Sequence, residues 1–515
     1  MSVESKHPLY QKRSSQWEII RDCYEGEDAI KAKGEKYLPR ASGSANWQYE
    51  AYKTRARWVN FVGRTLNGLH GLMFRRYPTL SCPPELKASG ILENIDRRGT
   101  GINQFVADST HDMMIPTFGG FLVDMPTTKG EMSKLEAEKK HIHPFLRYYN
   151  AESIINWRYD NSDGIDKLVM VVLKEEVEVP QPDRFTHKLD TQYRVLEIIN
   201  GIYQQHIYTK LQDKDTTFIE KIIPVTINGE KIDYIPFVFA PSRVPDRPML
   251  MDLAYSNIGH YQKSADYENG VHLTTIPTGY VTGHGQTVDE SSGEKEILNL
   301  GGDSFLMFDE AEARVGTLVY AGEGLTHSEK ALEMSMAEMA VLGSRLVSPD
   351  KNVSETADAA KIHRAGENAL LATFAKNVSE CISTCLNIIL EWIGVEGVAV
   401  YQITTDYDTL AVDANVINSL ANISEKGKMP EFYVFENLKN GEYMPKDATL
   451  EEYVTLLKME KMNMDPIEMF DIYRAMKNGE KPKIDWDKYK KEDEKTEDMN
   501  TAPENSQNAV LTSEE

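Results

Sequence analysis

A few residue groups in this 515-residue chain have types and spacings that invite a chemical reading. His111-Asp112 and His141-Ile142-His143 offer imidazoles and a carboxylate of the kind that bind a divalent metal, and together they define one candidate, a metal-dependent hydrolase acting on phosphodiesters. The pattern lacks the i, i+4 histidine pair and adjacent general base of a helical zinc site. Set between Lys139-Lys140 and Pro144, the two histidines read more simply as the start of an extended segment. Cys381 and Cys385 lie one helical turn apart in an apolar face with no second pair to complete a four-sulfur site, and are expected to be core thiols. Gly283-His284-Gly285 and Gly301-Gly302 lack the Lys-Ser/Thr of a phosphate loop, and no Gly-x-Ser-x-Gly elbow occurs. No catalytic centre, cofactor or metal is expected. Ser348, Pro349, Asp350, Lys351, Asn352 and Val353 form a different kind of site, a loop carrying one cation between two long helical patterns, with Pro349 discouraging helix at Ser348.

The elements around these residues follow from periodicity. Tyr52, Ala56, Val59, Val62, Leu66, Leu69 and Met73 recur at steps of three and four, which predicts one continuous amphipathic helix ended by Pro78 and Pro83-Pro84. Between about 154 and 239 the period becomes strand-like. Asn200-Gly201 and Asn228-Gly229 each lie between β-rich runs and supply two positive-φ residues for a type I′ hairpin. A polar helix is expected over 250–273. Short strands at 278–282, 304–308 and 316–320 follow, in loops rich in acid: Asp289, Glu290, Glu294, Glu296, Asp309, Glu310 and Glu312. A second helix over 327–347 has its seam at Leu332, Met336, Met339, Gly343 and Leu346. The longest helical pattern, 355–392, places Leu370, Phe374, Val378, Ile382, Cys385, Ile389 and Trp392 on one face. A strand at 398–405, helices over 416–478 and a disordered, charged tail from 480 to 515 complete the chain.

Composition limits the function classes. At 41% hydrophobic and 27% charged residues the chain is ordinary for a soluble protein, no segment has the 18 to 20 uncharged apolar residues of a membrane span, and no secretory signal is expected. Four cysteines suggest a reducing compartment. The net charge is -23, but residues 1–76 carry +6, which leaves -29 downstream. Such acidity argues against tight binding to nucleic acid along the whole surface. It leaves open a protein that lets DNA pass without gripping it.

Several blocks resemble bacteriophage portal proteins, in particular a portal group long catalogued as a domain of unknown function. They are Tyr37-Leu38-Pro39-Arg40; residues 51–78, with Gly63-Arg64-Thr65 and Gly71-Leu72-Met73-Phe74-Arg75; Gly119-Gly120-Phe121-Leu122-Val123-Asp124-Met125-Pro126; residues 144–158, with Tyr148-Tyr149 and Ala151-Glu152-Ser153-Ile154-Ile155-Asn156-Trp157; Ser264-Ala265-Asp266-Tyr267-Glu268; residues 337–347; and residues 355–372. The resemblance spans roughly residues 7 to 405; beyond about Asp413 the chain departs from the pattern. It implies an α+β fold of portal-like architecture: N-terminal helices and an α/β wing (1–249), a first stem helix (250–273), a small β-containing clip bearing the acidic residues (274–326), a second stem helix (327–347), a tunnel loop (348–354), a long spine helix with a returning wing strand (355–412), a helical crown (413–479) and a tail (480–515). It also implies a non-enzymatic ring, typically a homododecamer, at a capsid vertex of the virion, assembled in the host cytoplasm. The implied partners are terminase large subunit, a head-tail adaptor, major capsid and scaffolding proteins, and double-stranded DNA passing non-specifically, with no membrane.

Overall fold

The first helices form where the sequence supplies ends for them. In α1 (Pro8–Glu25) the His7 side chain accepts from the Leu9 amide, Pro8 sits where its missing N–H costs nothing, and Gly26 at φ 95° turns the chain into α2 (Glu27–Ala32). The computed structural model describes residues 2–126, 142–162, 164–179, 183, 185–210, 218–227, 230–275, 278–282, 312, 314–318, 322–343, 357–405, 407, 422–423, 430–440, 444, 448–462, 464–477 and 484. Two compact units divide the chain, Met1–Tyr407 and Asp408–Glu515.

In the first unit α3 (Asn46–Arg55) and α4 (Phe61–Met73) replace the single helix expected across residues 52–73. The break at 56–60 has a local and a tertiary cause. Asn60 caps α4 by accepting from the Gly63 amide at 2.7 Å while donating to the Tyr24 carbonyl at 2.9 Å, and the extended backbone finds partners on a distant helix described below. Strand β1 (Thr79–Ser81), α5 (Pro84–Ala88) and α6 (Ile102–Met114) follow. Next come β2 (Gly119–Asp124), β3 (Phe145–Asn150), β4 (Ile154–Asp160), β5 (Lys167–Val179), β6 (Lys188–Ile199), β7 (Ile202–Lys210), β8 (Phe218–Pro224), the short pair β9 (Thr226–Ile227) and β10 (Glu230–Lys231), and β11 (Phe237–Ala240).

Two antiparallel sheets result, one ordered β11-β2-β3 and the other β4-β5-β6-β7-β8. The β6–β7 turn has Asn200 at φ 53° and Gly201 at φ 75°, with Ile199 opposite Ile202, the geometry expected of a type I′ hairpin. Asn228 and Gly229 lie outside the described residues, but Ile227 pairs with Glu230 on either side of them. Trp17, Phe118, Trp157, Phe237 and Phe239, all buried, form an aromatic centre where α1 meets both sheets. Gly120 permits this closeness: a Cβ there would lie 2.4 Å from the Phe237 ring.

Helix α7 (Met251–Thr275), the hairpin strands β12 (Thr278–Thr282) and β13 (Arg314–Leu318), α8 (Glu323–Gly343), α9 (Ala357–Ile393) and β14 (Val400–Gln402) complete the unit. On α9, Phe374, Val378, Ile382, Cys385, Ile389 and Trp392 are buried as expected, but Leu370 is 58% exposed and Leu371 is buried in its place. The expected positions from Leu370 to Ile382 step by four, and three such steps carry a 3.6-residue helix about 120° past whole turns, so Leu370 leaves the buried face and Leu371 takes its place. Cys381 and Cys385 lie within this face; burial pushes the Cys381 thiol up to about 12 and that of Cys385 well above its ordinary value. The second unit contains α10 (Glu431–Asn440), α11 (Leu450–Lys461) and α12 (Pro466–Lys477); Thr449 and Glu452 form a capping box at the start of α11. The chain is thus a mixed α+β protein.

Buried charge joins the two sheets. Glu175 of β5 accepts from Arg194 Nε of β6 at 2.9 Å, from Arg147 of β3 at 3.1 Å and from the Tyr149 hydroxyl and Gln192 amide. Arg194 also donates to Gln205 of β7 at 2.6 Å, and Gln205 donates to Asp124 of β2 at 3.0 Å. Burial alone would raise the Glu175 pKa, but the Arg194 guanidinium together with the hydrogen bonds from Tyr149 and Gln192 outweighs it and holds the carboxyl below the usual range. A depressed native pKa adds stability above the unfolded value of about 4.3 and loses it as pH falls through the native pKa. Arg194→Met leaves the carboxylate buried without its main cation and is expected to cost about 3–5 kcal/mol at pH 7. Lowering the pH to about 4 should shrink the difference from wild type, because the uncompensated Glu175 then protonates. Urea denaturation at the two pH values measures both; an equal loss at each would refute the charge account.

Candidate functional site

The feature that sets this chain apart is a helical hairpin rooted among the N-terminal helices and ending in a pair of antiparallel strands. Helix α7 is polar because its polar side chains replace solvent for the extended 56–60 segment. Asn257, fully buried, accepts from the Phe61 amide at 3.2 Å and donates to the Val59 carbonyl at 2.9 Å. Ser264 accepts from the Arg57 amide at 3.1 Å, Gln262 donates to the Tyr37 carbonyl at 2.9 Å, and Asp266 accepts from the Tyr52 hydroxyl at 2.6 Å. Glu268 pairs with Arg57 at 2.8 Å. Burial, reinforced by Asp266, pushes the Tyr52 hydroxyl up. Thus Ser264, Asp266 and Glu268 of the block Ser264-Ala265-Asp266-Tyr267-Glu268 form one side of this joint.

Helix α8 returns antiparallel to α7. A Cβ on Gly270 would lie 2.8 Å from Leu325, and one on Gly343 would lie 2.5 Å from Thr65 of α4 and 3.3 Å from Leu253, so both ends of the pair are in close contact. At the distal end β12 and β13 pair from Thr278 opposite Leu318 to Thr282 opposite Arg314. Tyr280 lies over Gly316, its directly paired residue, and covers the strand backbone there. Helix α8 begins at Glu323, four residues earlier than the sequence pattern indicates.

Helix α9 repeats the device of α7. Ser379, Ser383 and Asn387, at i, i+4 and i+8, accept from the amides of Ile403, Tyr401 and Ala399 at 3.0, 2.9 and 2.8 Å. Four helical residues rise about 6 Å and two strand residues about 6.6 Å, so the two repeats stay in step. The pairing of β14 with β1 is thereby held against the helix. Ser-x3-Ser-x3-Asn inside an apolar face was the sequence signal for this contact.

Of the expected acidic residues only Glu312 is described, exposed just before β13; Asp289, Glu290, Glu294, Glu296, Asp309 and Glu310 lie outside the described residues, as do the strand at 304–308, the glycines at 283, 285, 301 and 302, and His141. The loop at Ser348, Pro349, Asp350, Lys351, Asn352 and Val353 lies outside them too, as does the tail from 480 apart from Ile484. The structure disperses the other metal candidates. Asp112 on α6 accepts from Arg21 of α1 at 2.9 Å and from the Tyr148 hydroxyl at 2.8 Å, and Arg21 also pairs with Glu152. His111 donates to Asn67 at 2.8 Å, and His143 donates to the Pro144 carbonyl at 2.9 Å. Among the described residues no three His, Cys, Asp or Glu side chains gather as for a metal ion, and no helix is long and apolar enough to cross a membrane.

A family described as a domain of unknown function, DUF4055, matches residues 249–393, the span from α7 through α9. No curated protein matches. Among solved structures, a chain from the neck of an empty GTA particle computed with C6 symmetry is similar at 12% identity over 79% of this chain and 96% of that chain. Its TM-score of 0.32 is too low to indicate a shared fold.

The joint between α7 and the 56–60 segment yields a direct expectation. Asn257→Leu takes the side-chain acceptor from the Phe61 amide and the side-chain donor from the Val59 carbonyl, leaves those groups only their bond to each other at 2.8 Å, and sets a larger apolar side chain against them, at an expected cost of about 1–3 kcal/mol. The loss should exceed that of Ser264→Ala, which frees one amide in a less buried place. Chemical denaturation of the two variants gives the ranking, and equal losses would contradict it.

Proposed function

We propose that the chain is a phage portal subunit, assembling into a ring at one capsid vertex through which double-stranded DNA enters and leaves. The observation that carries this reading is the α7–α8 hairpin with its distal β-hairpin, followed by the 37-residue α9. The resemblance assigns stem, clip and spine to these elements, and the matched family spans the same residues. At 1.5 Å per residue α9 is about 55 Å long, longer than a small domain is wide, as suits an element running between structural levels.

The charge fits a conduit. A duplex must move without being held, so its path should offer few of the cationic contacts that give non-specific affinity. Twelve copies at -23 carry a formal charge on the order of -280, whose reach is limited by screening to about 8–10 Å. The distal β-hairpin, with exposed Glu312 beside it, is the surface for terminase large subunit during filling and for head-tail adaptors afterwards. Capsid and scaffolding proteins would meet the wing and basic N-terminal region. Lys351, repeated around the ring, is a local exception to the acidic net charge and touches DNA phosphates at the constriction, restraining slippage while a separate motor performs the work.

Two measurements test this reading. Negative-stain microscopy of the expressed chain is expected to show rings with a central hole, and a chain that stays monomeric at high concentration would overturn the proposal. In packaging assays Lys351→Glu should lower DNA retention more than Lys351→Ala; unchanged retention in both would remove Lys351 from the mechanism.

A further inference from the structure

We infer that the outward face of α8 packs on the exposed strip of α7 of a second copy, a heterologous contact that rests on the ring reading and names its seam. From Met334 to Leu342 helix α8 is apolar on nearly every side, interrupted by Ser335 and Glu338. Within one chain only part of this surface is covered. Ser335, Met339 and Gly343 are buried, whereas Met334 is 73% exposed and Ala337, Val341 and Leu342 are exposed with it. A helix that is apolar all round belongs in an interior. Among the described residues nothing covers this strip, and the cover we assign to it is a second molecule.

The receiving surface has its own mark. Gly259 stands mid-way along α7, where glycine weakens a helix, yet a Cβ at that position would meet nothing within 4 Å. Nothing among the described residues therefore requires the glycine. With Tyr255 exposed one turn earlier, it leaves a notch on the surface.

Charge and register select a second copy as the occupant. The contacts of Gly270 with Leu325 and of Leu253 with Gly343 set the levels of the antiparallel pair. Counting between them, Tyr255 is level with Val341, Gly259 with Ala337, Lys263 with Glu333, and Asp266 with Lys330. A cyclic neighbour related by an axis along the helix pair keeps the same levels. Its α8 then presents small against small, apolar against aromatic, and two opposite charges against two opposite charges. Lys263, Lys330 and Glu333 are exposed and have no ion-pair partner among the described residues. Such level pairing fixes register as well as adding contact.

The test uses full-length chains. Tyr255→Cys protein mixed with Val341→Cys protein should give a disulfide-linked dimer on mild oxidation, above the background of either variant alone and of wild type. Gly259→Leu should leave the thermal melt of the fold unchanged or raised, while moving the concentration midpoint of assembly about tenfold higher, equivalent to about 1.4 kcal/mol. Lys263→Glu should weaken assembly, and Lys263→Glu with Glu333→Lys should restore it. If wild type assembles but the mixture does not cross-link and Gly259→Leu assembles normally, this seam is refuted while the ring stands. Equal cross-linking in Val341→Cys alone would mean α8 packs on α8 and would also refute it. A wild-type chain that sediments only as a monomer removes both the seam and the ring.

Discussion

The first unit depends on a carboxylate that stays charged while buried. Glu175 is 9% exposed, lies on the middle of a long strand, and is surrounded by donors from two strands, one in each sheet. Such a group contributes little net attraction compared with a well-packed apolar substitute, but every alternative arrangement of the sheets would strand it or Arg194 without a partner. Its effect is one of exclusion. Slipping β5 by one residue would turn Glu175 to the opposite face, away from Arg147 and Arg194, and bring Lys174 or Glu176 into its place while moving the apolar run from Leu168 to Leu173 off its own face. The aromatic centre of Trp17, Phe118, Trp157 and Phe239 supplies the bulk of the burial. The charged cluster selects the one register in which that burial occurs.

The parts of the fold that the sequence revealed are those decided within a few residues. Asn200-Gly201 determines a turn because both residues tolerate positive φ, and the thiols on α9 follow from a local stripe. The parts it concealed depend on partners far along the chain. The apolar spacing from Tyr52 to Met73 is helical throughout, yet residues 56–60 are extended because Asn257 and Ser264, some 200 positions away, bind their backbone. Leu370 and Leu371 differ by one step of a drifting stripe, which an idealised repeat cannot distinguish. His111 and Asp112 looked like ligands because their neighbours in sequence do not include Arg21, Asn67 and Tyr148, which hold them in space. For the site, the hairpin strand at 278–282 and the helices on either side were legible, whereas of the seven acidic residues expected between the two helices the described structure reaches only Glu312.

Both long helices that emerge from the core use the same construction. α7 and α9 each turn an apolar stripe to the interior and a row of short polar side chains to an extended backbone segment. Asn and Ser suit this task because their side chains are short enough to hold a backbone group at a fixed distance. The cost is paid in helix propensity, since the same residues compete with helical hydrogen bonds. Tertiary partners remove that competition by occupying the side chains.

The joint at the root of α7 has a mechanical consequence. Apolar surfaces in contact resist separation but allow sliding, because burial is nearly constant over small displacements. Hydrogen bonds from Asn257, Gln262 and Ser264 to particular backbone groups fail after a displacement of about 1 Å, since geometry limits them steeply. A pull along α7 is therefore borne in shear by a keyed joint and passes undiminished into α3, α4 and the N-terminal helices. The base of the hairpin behaves as a fixed mount, and any yielding under load must occur elsewhere along it.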